Sequence, residues 1–172
     1  FITSEDDDDH KVLEFAEAVN TTGILQSKPE DGLRWYEIML SAARKLSNRA
    51  KELDALGNMG ALYASLDNPS KALEYYTQGG DISRELDDRQ SEGSCLGNMG
   101  LAWHKLGDVE KSVECFESTL VIMQETGDAV REGLALTSLG KAAQDRGDYR
   151  KAIEYFEQHV KLAVETGEPG GE

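Results

Sequence analysis

The sequence predicts an all-α fold, a solenoid of four helix-turn-helix units, and three observations carry that prediction. Segments overlay at a fixed step of forty residues: Leu-Gly-Asn-Met-Gly runs from Leu56 to Gly60 and again from Leu96 to Gly100, with a degenerate copy from Leu136 to Gly140. Within each unit, apolar residues recur at the three- and four-residue intervals of one helical face. Short polar turns rich in Gly, Asp and Asn interrupt these faces at regular distances, and no stretch reads as a strand. Further columns keep the step, among them Tyr36/Tyr76/Phe116/Phe156, Leu33/Leu73/Val113/Ile153 and Gly32/Ala72/Ser112/Ala152. One array is therefore expected over residues 1–172, with repeats at about 8–47, 48–87, 88–127 and 128–167.

The elements follow in order. The acid run from Glu5 to Asp9 precedes the first helix, where negative charge favours a helix N-terminus; engagement of a basic partner by this tail is the less favoured reading. The first unit is worn, with Asn20 and Gly23 where later units carry Gly and an aromatic. In the second, Leu56, Met59, Gly60, Tyr63 and Leu66 mark the inward face of one helix, and Ala72, Leu73, Tyr76 and Ile82 that of the next. Between them Asp67-Asn68-Pro69 forms a turn with Pro at the first helical position. Leu106-Gly107-Asp108, Thr126-Gly127-Asp128 and Arg146-Gly147-Asp148 each supply a Gly stop followed by an Asp N-cap. The sum is eight helices of roughly 17–18 residues joined by turns of two or three. Gly60 and Gly100 are read as close contacts between paired helices. The last helix, from about Tyr149 to Thr166, is apolar over more than one narrow stripe, at Ile153, Tyr155, Phe156, Val160, Leu162, Ala163 and Val164.

A large residue before Gly (Met59-Gly60, Met99-Gly100, Leu139-Gly140), an aromatic three residues later (Tyr63, Trp103), a small residue after the turn (Ala72, Ser112, Ala152) and then an aromatic (Tyr76, Phe116, Phe156) resemble the tetratricopeptide repeat. Residues 147–156, Gly-Asp-Tyr-Arg-Lys-Ala-Ile-Glu-Tyr-Phe, are especially close. The forty-residue step is similar to the extended repeats of Pins-type polarity scaffolds, related tandem arrays and some bacterial peptide receptors. The resemblance implies a right-handed solenoid and a role in holding other proteins, and it specifies no partner.

Composition narrows the function classes. A net charge of −15, a pI near 4.6 and the lack of a Lys/Arg cluster argue against nucleic acid and anionic membranes as direct partners. No run of eighteen apolar residues is present, so no membrane insertion is expected. The chain begins at Phe1, which suggests an excised or processed piece. Cys95 and Cys115 lack a CxxC partner or a neighbouring His, so both are read as reduced packing residues in the cytoplasm or another reducing compartment such as an organelle stroma. His10, His104 and His159 occupy three different contexts, and no nucleophile elbow, phosphate loop or His-Glu-x-x-His pattern occurs. No catalytic residue, metal site or cofactor is expected.

Stacked helix pairs present their first helices to a groove. With the core face as above, the flank beside it carries Gly57 and Asn58 in the second unit and Ser94, Gly97, Asn98, Leu101, His104 and Lys105 in the third. In the fourth it carries Arg131, Leu134, Ser138 and Lys141, and in the first Glu14 and Glu17. Gly57 and Gly97 face away from the core despite a cost of about 1 kcal/mol each in a helix, which suits close approach of a ligand backbone. Asn58 and Asn98 each offer a donor and an acceptor to that backbone, as Asn does in this column of related arrays. The cationic residues of the family's carboxylate clamp are missing: the matching columns carry Glu17 and Thr21, then Asn58, then Ser94 and Asn98.

The function expected is a non-enzymatic scaffold or adaptor that holds an extended or helical protein segment, with acidic ligand residues facing Lys105, Arg131 and Lys141 in repeats three and four. Two other classes stay open: self-assembly through the apolar C-terminal helix, and a regulatory domain that senses a short peptide. That helix is expected either to be followed by another or to pack on a second copy or partner.

Overall fold

The computed structural model describes residues 8–14 and 29–167, which are helices and short turns with no strand among them. Residues 8–14 form α1, followed by α2 (Pro29–Lys45), α3 (Arg49–Ser65), α4 (Pro69–Glu85), α5 (Arg89–Lys105), α6 (Val109–Thr126), α7 (Ala129–Asp145) and α8 (Tyr149–Thr166). The forty-residue step is visible in the helix starts at 49, 89 and 129, and at 29, 69, 109 and 149. Glu17, Asn20, Thr21 and Gly23 lie outside the described residues.

Caps set these boundaries. The side chains of Asn48, Asn68, Asp88, Asp108, Asp128 and Asp148 each accept a hydrogen bond from the backbone amide three residues on, at 3.0–3.2 Å. Each satisfies an amide that the first helical turn leaves without a partner, a contribution of about 1 kcal/mol. Helices end where the chain turns left-handed, at Gly107, Gly127 and Gly147 with φ of 82°, 71° and 76°. Ser47, Asp67 and Asp87 hold the same columns earlier in the chain with φ of 52°, 58° and 54°, a conformation that Asp tolerates better than most residues.

Contacts divide the chain into two compact units, one ending at Asp87 and one beginning at Asp88. In the first, α3 packs on α2 and α4. In the second, α5 packs on α6, α6 on α7 and α7 on α8, with a smaller contact between α5 and α7. Of the acid run, Asp8 and Asp9 are described: Asp8 lies near Lys11, and Asp9 accepts from Lys45 on α2 at 3.2 Å.

Core formation follows the predicted columns with one correction. Leu56, Met59 and Gly60 are buried on α3, together with Glu52, Leu53, Ala55 and Leu62, but Tyr63 is half-buried and Leu66 is 44% exposed. The helix stops at Ser65, and Leu66 caps it with its amide turned back to the carbonyls of Leu62 and Ala64, so its side chain has left the packed face. Leu106 repeats this at 43% exposure. The expected contacts of paired helices are present: a Cβ added to Gly60, Gly100 or Gly140 would lie 2.5, 2.6 and 2.5 Å from the rings of Tyr76, Phe116 and Phe156.

Glu52 is a buried charge in the first unit. Its carboxylate accepts from Arg44 Nε at 2.8 Å and from Arg49 Nη1 at 2.6 Å, and Arg49 also bonds Glu85. Burial alone would raise the Glu52 pKa, but the two guanidiniums outweigh it and hold the group below its ordinary value. Both cysteines are free. Burial, then nearby Asp88 and Glu92, push the Cys95 thiol up to about 11, and burial also raises Cys115. Thiols of that kind are poor nucleophiles, in keeping with packing roles. No helix among the described residues is long and apolar enough to cross a membrane.

Candidate functional site

A hollow of about 310 Å³ opens between α5, α6 and α7 in the second unit. Gly93, Ser94, Gly97, Asn98 and Leu101 line it from α5, Phe116 and Thr119 from α6, and Arg131, Leu134, Ala135 and Ser138 from α7. Residues four apart lie one above another on a helix, so Gly93, Gly97 and Leu101 form one row and Arg131, Leu134, Ala135 and Ser138 the facing wall.

The hollow has a cause in the repeat columns. Leu53, Gly93 and Gly133 share one column, Gly57, Gly97 and Thr137 the next turn, and Gly79, Thr119 and His159 a column of the second helix. In the last pair the large residue is His159, whose Nδ1 lies 2.8 Å from Thr137 Oγ1 and whose ring would clash at 2.8 Å with a Cβ on Gly133. In the pair α5 and α6, Thr119 lies 3.6 Å from where a Gly97 Cβ would be, whereas a Cβ on Gly93 would run into Met123 and lie 2.9 Å from Ile122. The Thr119 hydroxyl donates to Cys115 O at 2.9 Å. The space that His159 fills in the last pair is left open by Thr119 beside Gly97, while Met123 and Ile122 cover Gly93.

Its rim is apolar and its polar groups are divided. Leu101 is 58% and Leu134 61% exposed, a placement that costs solvation unless something covers them. Asn98 is exposed, and its amide has no intrachain partner among the described residues. The hydroxyls of Ser94 and Ser138 donate to the carbonyls of Gln90 and Leu134 at 2.9 Å, which leaves their lone pairs free to accept. Arg131 bonds Asp128 at 2.5 Å. The backbone amide of Arg131 and then its guanidinium hold the Asp128 carboxyl below the ordinary range, so this cation is partly neutralised within its own helix turn.

Of the ten residues singled out by sequence, Gly97, Asn98, Leu101, Arg131 and Ser138 come together here. His104 is instead placed with Nε2 2.6 Å from Asp145 Oδ2, bridging α5 and α7 on the exposed surface. Lys105 and Lys141 are exposed and outside the lining. Gly57 and Asn58 belong to the first unit, where nothing lies within 4 Å of a Gly57 Cβ and Asn58 Nδ2 donates to Asp54 O at 2.8 Å. Sequence reasoning passed over Phe116, Thr119, Gly93 and Ala135. The available signal was Thr119 in the column of His159, since a smaller side chain there leaves room beside Gly97. Among the described residues no group of three or more His, Cys, Asp or Glu is placed to hold a metal ion.

The family profile of the tetratricopeptide repeat matches residues 91–163, the stretch that builds this hollow. Over residues 91–163 the chain carries tetratricopeptide repeats. Its fold is also that of solved structures, among them BtubC (BKLC) from P. vanneervenii, with TM-score 0.76 at 19% identity over 85% of this chain and 61% of that one. Aspartyl phosphate phosphatase F from Bacillus subtilis has TM-score 0.82 at 12% identity over 97% of this chain and 43% of its own. A Rap protein complexed with competence and sporulation factor has TM-score 0.78 at 17% identity over 97% and 46%. The chain spans less than two thirds of each of the three, and at such identities the likeness is one of fold. No curated protein matches its sequence.

Proposed function

We propose that the second unit is a non-enzymatic interaction module that holds an extended or helical segment of another protein in the α5–α6–α7 hollow. The observation that carries this reading is the apolar hollow itself, bracketed by two exposed leucines beside an Asn amide with no intrachain partner among the described residues. A ligand side chain seated between Leu101 and Leu134 would cover both, at about 1.5–3 kcal/mol for a fully buried aliphatic residue. Asn98 and Arg131 both line the hollow; in this reading the Asn98 amide pairs with ligand backbone and Arg131 meets an acidic ligand residue. The structure of a Rap protein complexed with competence and sporulation factor supports the general idea that this fold accommodates a partner.

Peptides selected by display on the wild-type chain are expected to share an apolar anchor with Asp or Glu nearby. Changing Leu101 and Leu134 together to Lys should raise their Kd at least about tenfold, and Asn98→Ala should weaken binding by about 1 kcal/mol, with the helical circular dichroism unchanged. Selected peptides that bind the double variant at wild-type strength would remove the hollow as the site.

Self-association is a second reading, favoured by α8. Tyr149, Ile153, Val160 and Val164 are 66%, 57%, 63% and 76% exposed along that helix. Concentration-dependent sedimentation is expected, abolished by changing Val160 and Val164 to Lys; a strict monomer across the series would rule it out.

A further inference from the structure

A second hollow, of about 240 Å³, lies where α6, the end of α7 and the start of α8 meet, and the repeat columns identify what is missing from it. Ala143 stands in the column of Tyr63 and Trp103. In the first unit Tyr63 stacks on Tyr75, with ring centroids 5.3 Å apart and planes within 5°, and Lys71 Nζ lies 4.8 Å from the Tyr63 centroid. In the second unit Trp103 carries Lys111 Nζ 4.1 Å from its ring centre. Forty residues further on, Lys151 and Tyr155 keep the columns of Lys71 and Tyr75, but the ring between them has become a methyl group. Both flank the hollow, with Ala143 beside them and Glu117 in the column of Glu37. Burial raises the phenols of both Tyr75 and Tyr155; Tyr63 and then Glu37 add to it at Tyr75, and Glu117 at Tyr155, where the ring in the Tyr63 column is missing.

Column 75 also decides which ring fits. The larger indole of Trp103 occurs in the repeat that carries the small Cys115, whereas the single ring of Tyr63 goes with Tyr75. With Tyr155 in place, the space left beside it corresponds to one ring. We infer that this hollow is a socket for a tyrosine side chain of a partner protein, which stacks on Tyr155 beneath Lys151 as Tyr63 stacks on Tyr75 beneath Lys71. Offset stacking and the cation over the ring face supply the attraction, and the carboxylate of Glu117 is placed to accept from the phenol. The socket does not depend on the α5–α6–α7 hollow.

N-acetyltyrosine amide added to the full chain is expected to give saturating NMR shifts at the Ala143 methyl, with N-acetylleucine amide at least about tenfold weaker. Ala143→Tyr should fill the socket from within, raise the melting temperature and abolish the shifts, while Leu134→Lys in the other hollow leaves them intact. Shifts that fail to saturate, or that survive in Ala143→Tyr, would overturn the socket. So would a lower melting temperature for Ala143→Tyr, since the ring-sized space would then not exist. If p-cresol binds as tightly as the capped tyrosine, the flanking amides add nothing, and assignment to a protein partner rather than a free phenol fails.

Discussion

Replacing Gly100 by Ala is expected to destabilise the chain by about 2 kcal/mol, while the same change at Gly97, three residues away, stabilises it by up to about 1 kcal/mol. Both gain the backbone entropy that Ala saves over Gly in a helix. The difference lies in what the added methyl meets. At Gly100 it would sit 2.6 Å from the ring of Phe116, which is 3% exposed and has no room to retreat. At Gly97 it meets Thr119 at 3.6 Å, an ordinary contact. Urea unfolding of the two variants measures both signs. Phe116→Leu combined with Gly100→Ala should cost less than the sum of the single changes, because the smaller side chain makes space for the methyl. Equal effects at the two glycines would contradict the packing described for α5 and α6. The Gly97 variant also narrows the hollow, so a more stable protein that binds selected peptides less well is the combination expected there.

Glu52→Gln is expected to cost about 1–2 kcal/mol at neutral pH. The carboxylate is 6% exposed and bridges two guanidiniums, but Arg44 and Arg49 are 51% and 38% exposed, so water screens part of each pair and the loss stays below that of a fully buried pair. The pH dependence has a definite sign. The folded-state pKa of Glu52 is lowered, so the unfolded chain binds the proton more readily and the contribution is fully present above the ordinary value of 4.5. It is lost as the pH falls through the lower folded value. The stability gap between wild type and variant should therefore be constant near neutrality and close in acid. A gap that widened on acidification would mean that Glu52 is protonated in the fold and that the two arginines do not hold its charge.

The helices were legible in the sequence because their boundaries depend on local chemistry. An Asp or Asn that bonds the amide three residues on, and a Gly free to turn left-handed, act within one turn of the chain, and the forty-residue step shows them several times over. The close approach of paired helices was legible for the same reason, since Gly60, Gly100 and Gly140 recur with an aromatic sixteen residues later. Periodicity failed at Leu66, which keeps the spacing of the core face but stands where the helix has already ended. It failed again at the site. That Gly97 lies off the core follows from the sequence, but whether it borders empty space depends on the residue facing it from another helix. Thr119 leaves room, His159 fills the equivalent place, and neither effect can be seen along one helix. Polar groups behave alike: Arg131 reads as an available cation until Asp128 is placed 2.5 Å from it, and His104 as a groove residue until Asp145 is placed 2.6 Å from it. Secondary structure and the inward columns were thus determined by the sequence alone, because they rest on contacts within a turn. Hollows and free polar groups were decided only by the tertiary structure, because each is a difference between two side chains on separate helices.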